Sequence, residues 1–139
     1  MIYRLPAGLV KMEGWKILIK DNHVAIVGSV DNAVRKAKKA ASFSKKIEVE
    51  VTSIAAALKA AKAGADIVML DNFSPKLVSE TCEALKKAGF FGKILLEASG
   101  GITDQNLLKY VSTPVDIISM GTLTHSVEAL DVSLEIAKF

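Results

Sequence analysis

The chain is predicted to be an α/β protein: a partial (β/α) barrel of about five parallel strands with helices outside, followed by a C-terminal strand-like segment. Three observations carry that expectation. Short apolar runs recur along the sequence, bounded by turn residues and separated by helical patterns, as buried parallel strands are. Their ends fall at about residues 20, 51, 71, 97 and 121, the rhythm of βα repetition. Each run also finishes in polar, chemically capable residues, and in such folds ligands gather at the carboxyl ends of the strands.

Taken in order, Ile17-Leu18-Ile19 runs into Lys20-Asp21-Asn22-His23, and Ile47 to Val51 carries Glu48 and Glu50. Ile67 to Leu70 ends in Asp71-Asn72, Ile94 to Leu96 in Glu97-Ala98-Ser99-Gly100-Gly101, and Ile117 to Met120 in Gly121-Thr122-Leu123-Thr124-His125. Four helical patterns separate these runs. Val30 to Ser42 keeps Val30, Ala33, Val34, Ala37, Ala40 and Ala41 on one stripe. Ser53 to Ala63 turns Ile54, Ala57, Leu58 and Ala61 inward and stops at Gly64. A third helix starts with Ser74 as N-cap and Pro75 in first position and ends at Gly89. The fourth, Thr103 to Val111, follows a Thr-Asp cap and stops before Pro114.

The flanks break the rhythm. Residues 1–14, with Pro6, Gly8 and Gly14, give no clear element and are assigned as irregular, leaving 15–139 as the barrel domain. Leu130, Val132, Leu134 and Ile136 alternate with polar residues, which favours a strand over the competing helical stripe. A closed eight-stranded barrel takes about 250 residues. Five strands instead leave two open edges. The chain is therefore a piece of a larger barrel, an open sheet, or a subunit whose edges a partner covers.

Composition narrows the function classes. Half the residues are hydrophobic, and 18 basic residues against 15 acidic ones give a net charge of +3. All but Arg4 and Arg35 of the basic residues are lysines, mostly on helix faces opposite apolar stripes, so a solvated surface is favoured over nucleic-acid binding. The single cysteine, Cys82, excludes an internal disulfide and suits a reducing compartment. Without a long apolar run or a leader pattern, the expected location is the cytoplasm, away from membranes.

Strand alternation places Lys16, Leu18 and Lys20 on one face of the first strand and Trp15, Ile17 and Ile19 on the other. With the apolar faces against helices, Lys20, Glu48, Glu50, Asp71 and Glu97 point to the barrel mouth or interior. Buried charges of this kind need partners, a metal or a ligand. An internal salt-bridge network built on Lys20 is the structural explanation. Yet one lysine cannot neutralise four carboxylates, which favours Mg²⁺, a hydroxyl-rich sugar, or cations supplied from elsewhere. Ser99-Gly100-Gly101 before a capped helix, and Met120-Gly121-Thr122 after the next strand, offer backbone N–H groups to a phosphate. His23 and His125 lie on the same rim, where a hydrogen-bonded structural histidine competes with a catalytic one. The spacing does not suit zinc.

These motifs, in order and spacing, resemble the quinolinate phosphoribosyltransferase family, also called carboxylating nicotinate-nucleotide pyrophosphorylases, over about residues 15 to 136. The resemblance implies that quinolinate attacks C1 of phosphoribosyl pyrophosphate, diphosphate leaves, and loss of CO₂ gives nicotinate mononucleotide, a step in NAD biosynthesis requiring Mg²⁺. By motif, it implies that Lys20 contacts the anionic substrates. Glu50 and Asp71 would hold the ribose hydroxyls and, indirectly, Mg²⁺-diphosphate. Ser99, Gly100 and Gly121 would cradle the 5′-phosphate, and His125 would line the pocket; Lys20, Glu50 and Asp71 are the catalytic candidates. Family members carry an N-terminal sandwich domain and arginine-rich barrel strands ahead of the Lys-Asp-Asn-His motif, and they dimerise. The expectation is thus a C-terminal barrel part, in a homo-oligomer, with weak or no activity alone. A relative with another phosphoribosyl acceptor, or a non-catalytic phosphate-binding fragment, stands as the alternative.

Overall fold

The computed structural model describes the backbone of residues 2–5 and 8–13 and the full chain over 15–121. The proposed C-terminal strand, and His125 with its neighbours Thr122 to Thr124, lie outside the described residues. Among the described residues, one mixed sheet of seven strands organises the protein, with strands side by side in chain order. These are β1 (Ile2–Leu5), β2 (Gly8–Glu13), β3 (Lys16–Ile19), β4 (Lys46–Val51), β5 (Ile67–Asp71), β6 (Leu95–Ser99) and β7 (Ile117–Ile118). From β3 to β7 every pairing is parallel, which gives the five expected strands. The described sheet is open, with β1 and β7 at its edges.

Residues 1–14 depart from the expectation of an irregular segment. Here β1 and β2 form an antiparallel pair with Leu5 opposite Gly8, and β2 pairs antiparallel with β3, Met12 opposite Ile17. No alternation in the sequence announces them. They exist because β3 would otherwise end the sheet with unpaired backbone groups, a tertiary demand rather than a local preference.

Among the described residues, five helices connect the parallel strands: α1 (Asp21–Val27), α2 (Val30–Ala40), α3 (Ile54–Ala63), α4 (Pro75–Lys87) and α5 (Leu107–Val111). Ser74 caps α4 with Pro75 in first position, as expected, and Ser29 and Ser53 cap α2 and α3 in the same way, each serine accepting a bond from the backbone N–H three residues on. Helix α1 departs from the expectation, which has Asp21-Asn22-His23 in a loop. Gly28, at φ 90, separates it from α2. Helix α5 starts at Leu107 rather than Thr103.

One side of the sheet meets the helices. Ile17 and Ile19, Ile47, Val49 and Val51, Val68 and Leu70, and Leu96 and Ala98 pack on Val34, Ala57, Ala61, Val78 and Leu85. Trp15 is an exception to the expected alternation, being 57% exposed at the start of β3 with Lys16 Nζ 5.9 Å from its ring. Two aspartates stitch neighbouring units: Asp66 accepts from the Ile47 N–H at 2.9 Å, and Asp116 from the Leu96 N–H at 2.8 Å. Tyr110 closes the core beneath α5 by donating its hydroxyl to the Phe73 carbonyl at 2.9 Å. Cys82 is buried, and burial, helped by the Asp116 charge, pushes its thiol up to about 11. It is a packing residue.

Candidate active site

The other side of the sheet carries the polar chemistry, and strand register orders it in tiers. Glu50 is opposite Met69, which is opposite Glu97, which is opposite Ile117. One tier further on, Asp71 is opposite Ser99. Lys20 follows directly on β3, after Ile19 has paired with Val49. Lys20, Glu50, Asp71 and Ser99 therefore stand at the carboxyl ends of four consecutive parallel strands, where βα loops converge.

Glu50 is half-buried. Burial raises its carboxyl above the ordinary value, the Asp71 charge raises it further, and Lys20 opposes both. That pattern is the electrostatic signature of two acids and one base sharing a small region. Asp71 accepts from Asn72 Nδ2 at 3.0 Å. Asn72 is the one non-glycine residue at positive φ among those described, at 55°, and its N–H donates to the Ser99 carbonyl at 2.8 Å. Gly100, at φ 84, lies so close to Asn72 that a Cβ would stand 2.6 Å from Asn72 Oδ1. Only glycine satisfies both the turn and the approach. Asn72 thus braces the loop that bears Ser99 and Gly100, a role its sequence context did not single out.

The glycine loop does not run straight into a helix N-terminus as expected. Residues 103–106 form a turn in which Asn106 accepts from the Thr103 N–H at 2.8 Å and donates to the Gly101 carbonyl at 2.9 Å. Donors for a phosphate would therefore be loop N–H groups and the Ser99 hydroxyl, without the field of a long helix. Gly121 is exposed just beyond β7. His23 has a structural job: its Nδ1 accepts from the Lys20 N–H at 2.9 Å, and burial together with Lys20 lowers its affinity for a proton. As an acceptor at Nδ1 it caps α1.

Below the mouth, the internal ion network is built on Lys16, not on Lys20. Lys16 Nζ is 2.6 Å from Glu48 Oε2 and 4.0 Å from Glu97 Oε2. Glu97 accepts from the Ser119 hydroxyl at 2.5 Å. Glu48 is fully buried, and burial and the Glu97 carboxyl together push it up to about 7. Glu48 therefore keeps its proton well above the pH at which an exposed glutamate loses it. Strand alternation puts Lys16 on the same face as Lys20 but does not count it among the inward charges; its four-carbon stem reaches the next tier. This network removes Glu48 and Glu97 from the excess of free acid and leaves Glu50 and Asp71 facing Lys20. A cavity of about 190 Å³, lined by Trp15, Lys46 and Asp66 among others, opens at the opposite ends of the strands, away from this site.

A profile described as "Quinolinate phosphoribosyl transferase, C-terminal domain" matches residues 14–135. The chain belongs to that family. A probable nicotinate-nucleotide pyrophosphorylase [carboxylating] of Methanothermobacter thermautotrophicus is 51% identical over 119 residues, covering 86% of this chain and 43% of the relative. The human nicotinate-nucleotide pyrophosphorylase [carboxylating] is 47% identical over 123 residues, covering 88% of this chain and 41% of its own length. The crystal structure of NadC from Streptococcus pyogenes superposes with a TM-score of 0.72 at 41% identity, over 82% of this chain and 38% of that one. The chain thus spans about two-fifths of the length of these family members, and the α/β architecture is that of NadC. Among the described residues, no helix is long and apolar enough to cross a membrane.

Proposed function

We propose that the chain serves phosphoribosyl transfer from phosphoribosyl pyrophosphate to quinolinate with decarboxylation, yielding nicotinate mononucleotide, diphosphate and CO₂. The observation that carries this reading is the placement of Lys20, Glu50, Asp71 and Ser99 at the ends of four consecutive parallel strands in a member of this family. Departure of diphosphate from C1 builds positive charge on the ribose. The Glu50 and Asp71 carboxylates, held on the inward face, favour that charge and accept from the ribose hydroxyls. The Lys20 ammonium meets the substrate carboxylate or phosphate. The Ser99 hydroxyl and the N–H groups at Gly100 and Gly121 suit the 5′-phosphate, and His125, outside the described residues, is assigned to the pocket by its motif alone.

Magnesium fits this set in a limited way. Among the described residues no three acids or histidines gather to cage a metal. A pair of carboxylates does suit Mg²⁺ held chiefly by substrate phosphates. Glu50 and Asp71 would hold it there, and it would neutralise the leaving diphosphate. The open strand edges support work within a homo-oligomer, a dimer or larger, and one buried thiol with no disulfide supports the cytoplasm.

The test is calorimetric binding of phosphoribosyl pyrophosphate with Mg²⁺, alongside an assay for nicotinate mononucleotide with quinolinate and a panel of other pyridine acids. Binding that Glu50→Gln and Lys20→Ala abolish, with weak turnover confined to quinolinate, is expected. Absence of binding, or preference for another acid, overturns the proposal.

A further inference from the structure

The two candidate phosphate loops share a spacing. On β6, Glu97 precedes Ser99 by two residues, and beyond β7, Ser119 precedes Gly121 by two. Ser119 and Glu97 are themselves joined, hydroxyl to carboxylate, at 2.5 Å. The paired part of β7 is only Ile117–Ile118. Past it, the segment that leads to Gly121 is tied to β6 by that side-chain bond and by the Ser119 N–H donating to the Ala98 carbonyl at 2.9 Å. Glu97 is 3% exposed, with Lys16 Nζ at 4.0 Å. A hydroxyl bonded to a buried, charge-stabilised acceptor is stronger than a neutral pair and fixes direction as well as distance.

We infer that Glu97 is a positioning residue that, through Ser119, sets the separation and level of the Ser99-Gly100 loop and the Gly121 loop. The inference rests on the proposed phosphate role of those loops. A phosphate takes its donors from both at once, so an offset between them weakens every bond made on one side. A carboxylate that merely satisfied its own burial would have no such effect on ligand affinity.

Ribose 5-phosphate is the probe, since it carries the sugar and 5′-phosphate without base or diphosphate. Calorimetric Kd and amide hydrogen exchange at Ser119 are measured on the full chain for wild type, Glu97→Gln, Glu97→Ala, Ser119→Ala and the Glu97→Ala/Ser119→Ala pair. Both alanine variants should bind roughly tenfold more weakly and exchange the Ser119 amide faster. Glu97→Gln, which keeps an acceptor oxygen, should stay near wild type on both readouts. The double variant should be no worse than either single one, because one bond is lost in all three. Unchanged affinity in the alanine variants, or additive losses in the pair, overturns the inference. Should wild type fail to bind the probe, the phosphate reading falls and the exchange data decide the tether alone. Protection lost in Glu97→Ala and kept in Glu97→Gln then upholds it, and protection unchanged in Glu97→Ala overturns it.

Discussion

Replacing Glu48 by glutamine should stabilise the protein, increasingly so as pH rises from 4.5 to about 7. Glu48 is fully buried on the inward face of β4, with Lys16 Nζ 2.6 Å from one oxygen and Glu97 as its acidic neighbour. Its carboxyl rises from an ordinary 4.5 to about 7, through burial first and Glu97 second. The folded state therefore holds a proton that the unfolded state has released across that window. Wild-type stability must fall as pH rises from 4.5 towards 7, and it reaches its floor above. At roughly 1.4 kcal/mol per unit, the ceiling on this loss is about 3 kcal/mol. The substituted glutamine would be neutral throughout and close to isosteric, leaving Lys16 with Glu97 as one cation and one anion. The variant should match wild type near about pH 4 and exceed it by up to about 3 kcal/mol near about pH 9. His23, whose lowered value acts in the opposite sense, and Glu50, whose raised value acts in the same sense, are common to both proteins and cancel in the difference. Urea unfolding followed by circular dichroism at several pH values gives that difference directly. A difference that does not change with pH would refute the raised Glu48 carboxyl.

Other substitutions probe separate features. Gly100→Ala puts a Cβ 2.6 Å from Asn72 Oδ1 and 2.9 Å from the Asn72 backbone nitrogen at φ 84. It should cost about 1–3 kcal/mol in urea unfolding and weaken ribose 5-phosphate binding, so a neutral result would remove the close approach from the account. Tyr110→Phe deletes the buried bond to the Phe73 carbonyl and should cost about 1–3 kcal/mol, since that oxygen is left unpaired. Cys82, 2% exposed with its thiol pushed up to about 11, should resist alkylation at neutral pH until urea unfolds the chain; rapid labelling of the native protein would contradict its packing role.

The five parallel strands were legible because each is a contiguous run of β-branched and aliphatic residues, and the Ser74 cap of α4 is a local bond written in a three-residue spacing. So was the grouping of Lys20, Glu50, Asp71 and Ser99, since strand ends in βα repeats share one face. Helix α1 was hidden by its polar first turn, where His23 serves as an acceptor for the Lys20 N–H. The long approach to α5 was hidden because Asn106, rather than Thr103, organises the turn.

What the sequence determined by itself is periodic: which runs are strands, which faces are apolar, and which side chains arrive at a common end. Pairing across the sheet belonged to the tertiary structure alone. Strands β1 and β2 form because an exposed β3 edge demands hydrogen bonds that no local pattern encodes. The choice of Lys16 over Lys20 as counter-ion to Glu48 depends on how far a flexible stem reaches between tiers. Such contacts join residues distant in the chain, and their energies are decided by burial and distance, which only the packed molecule supplies.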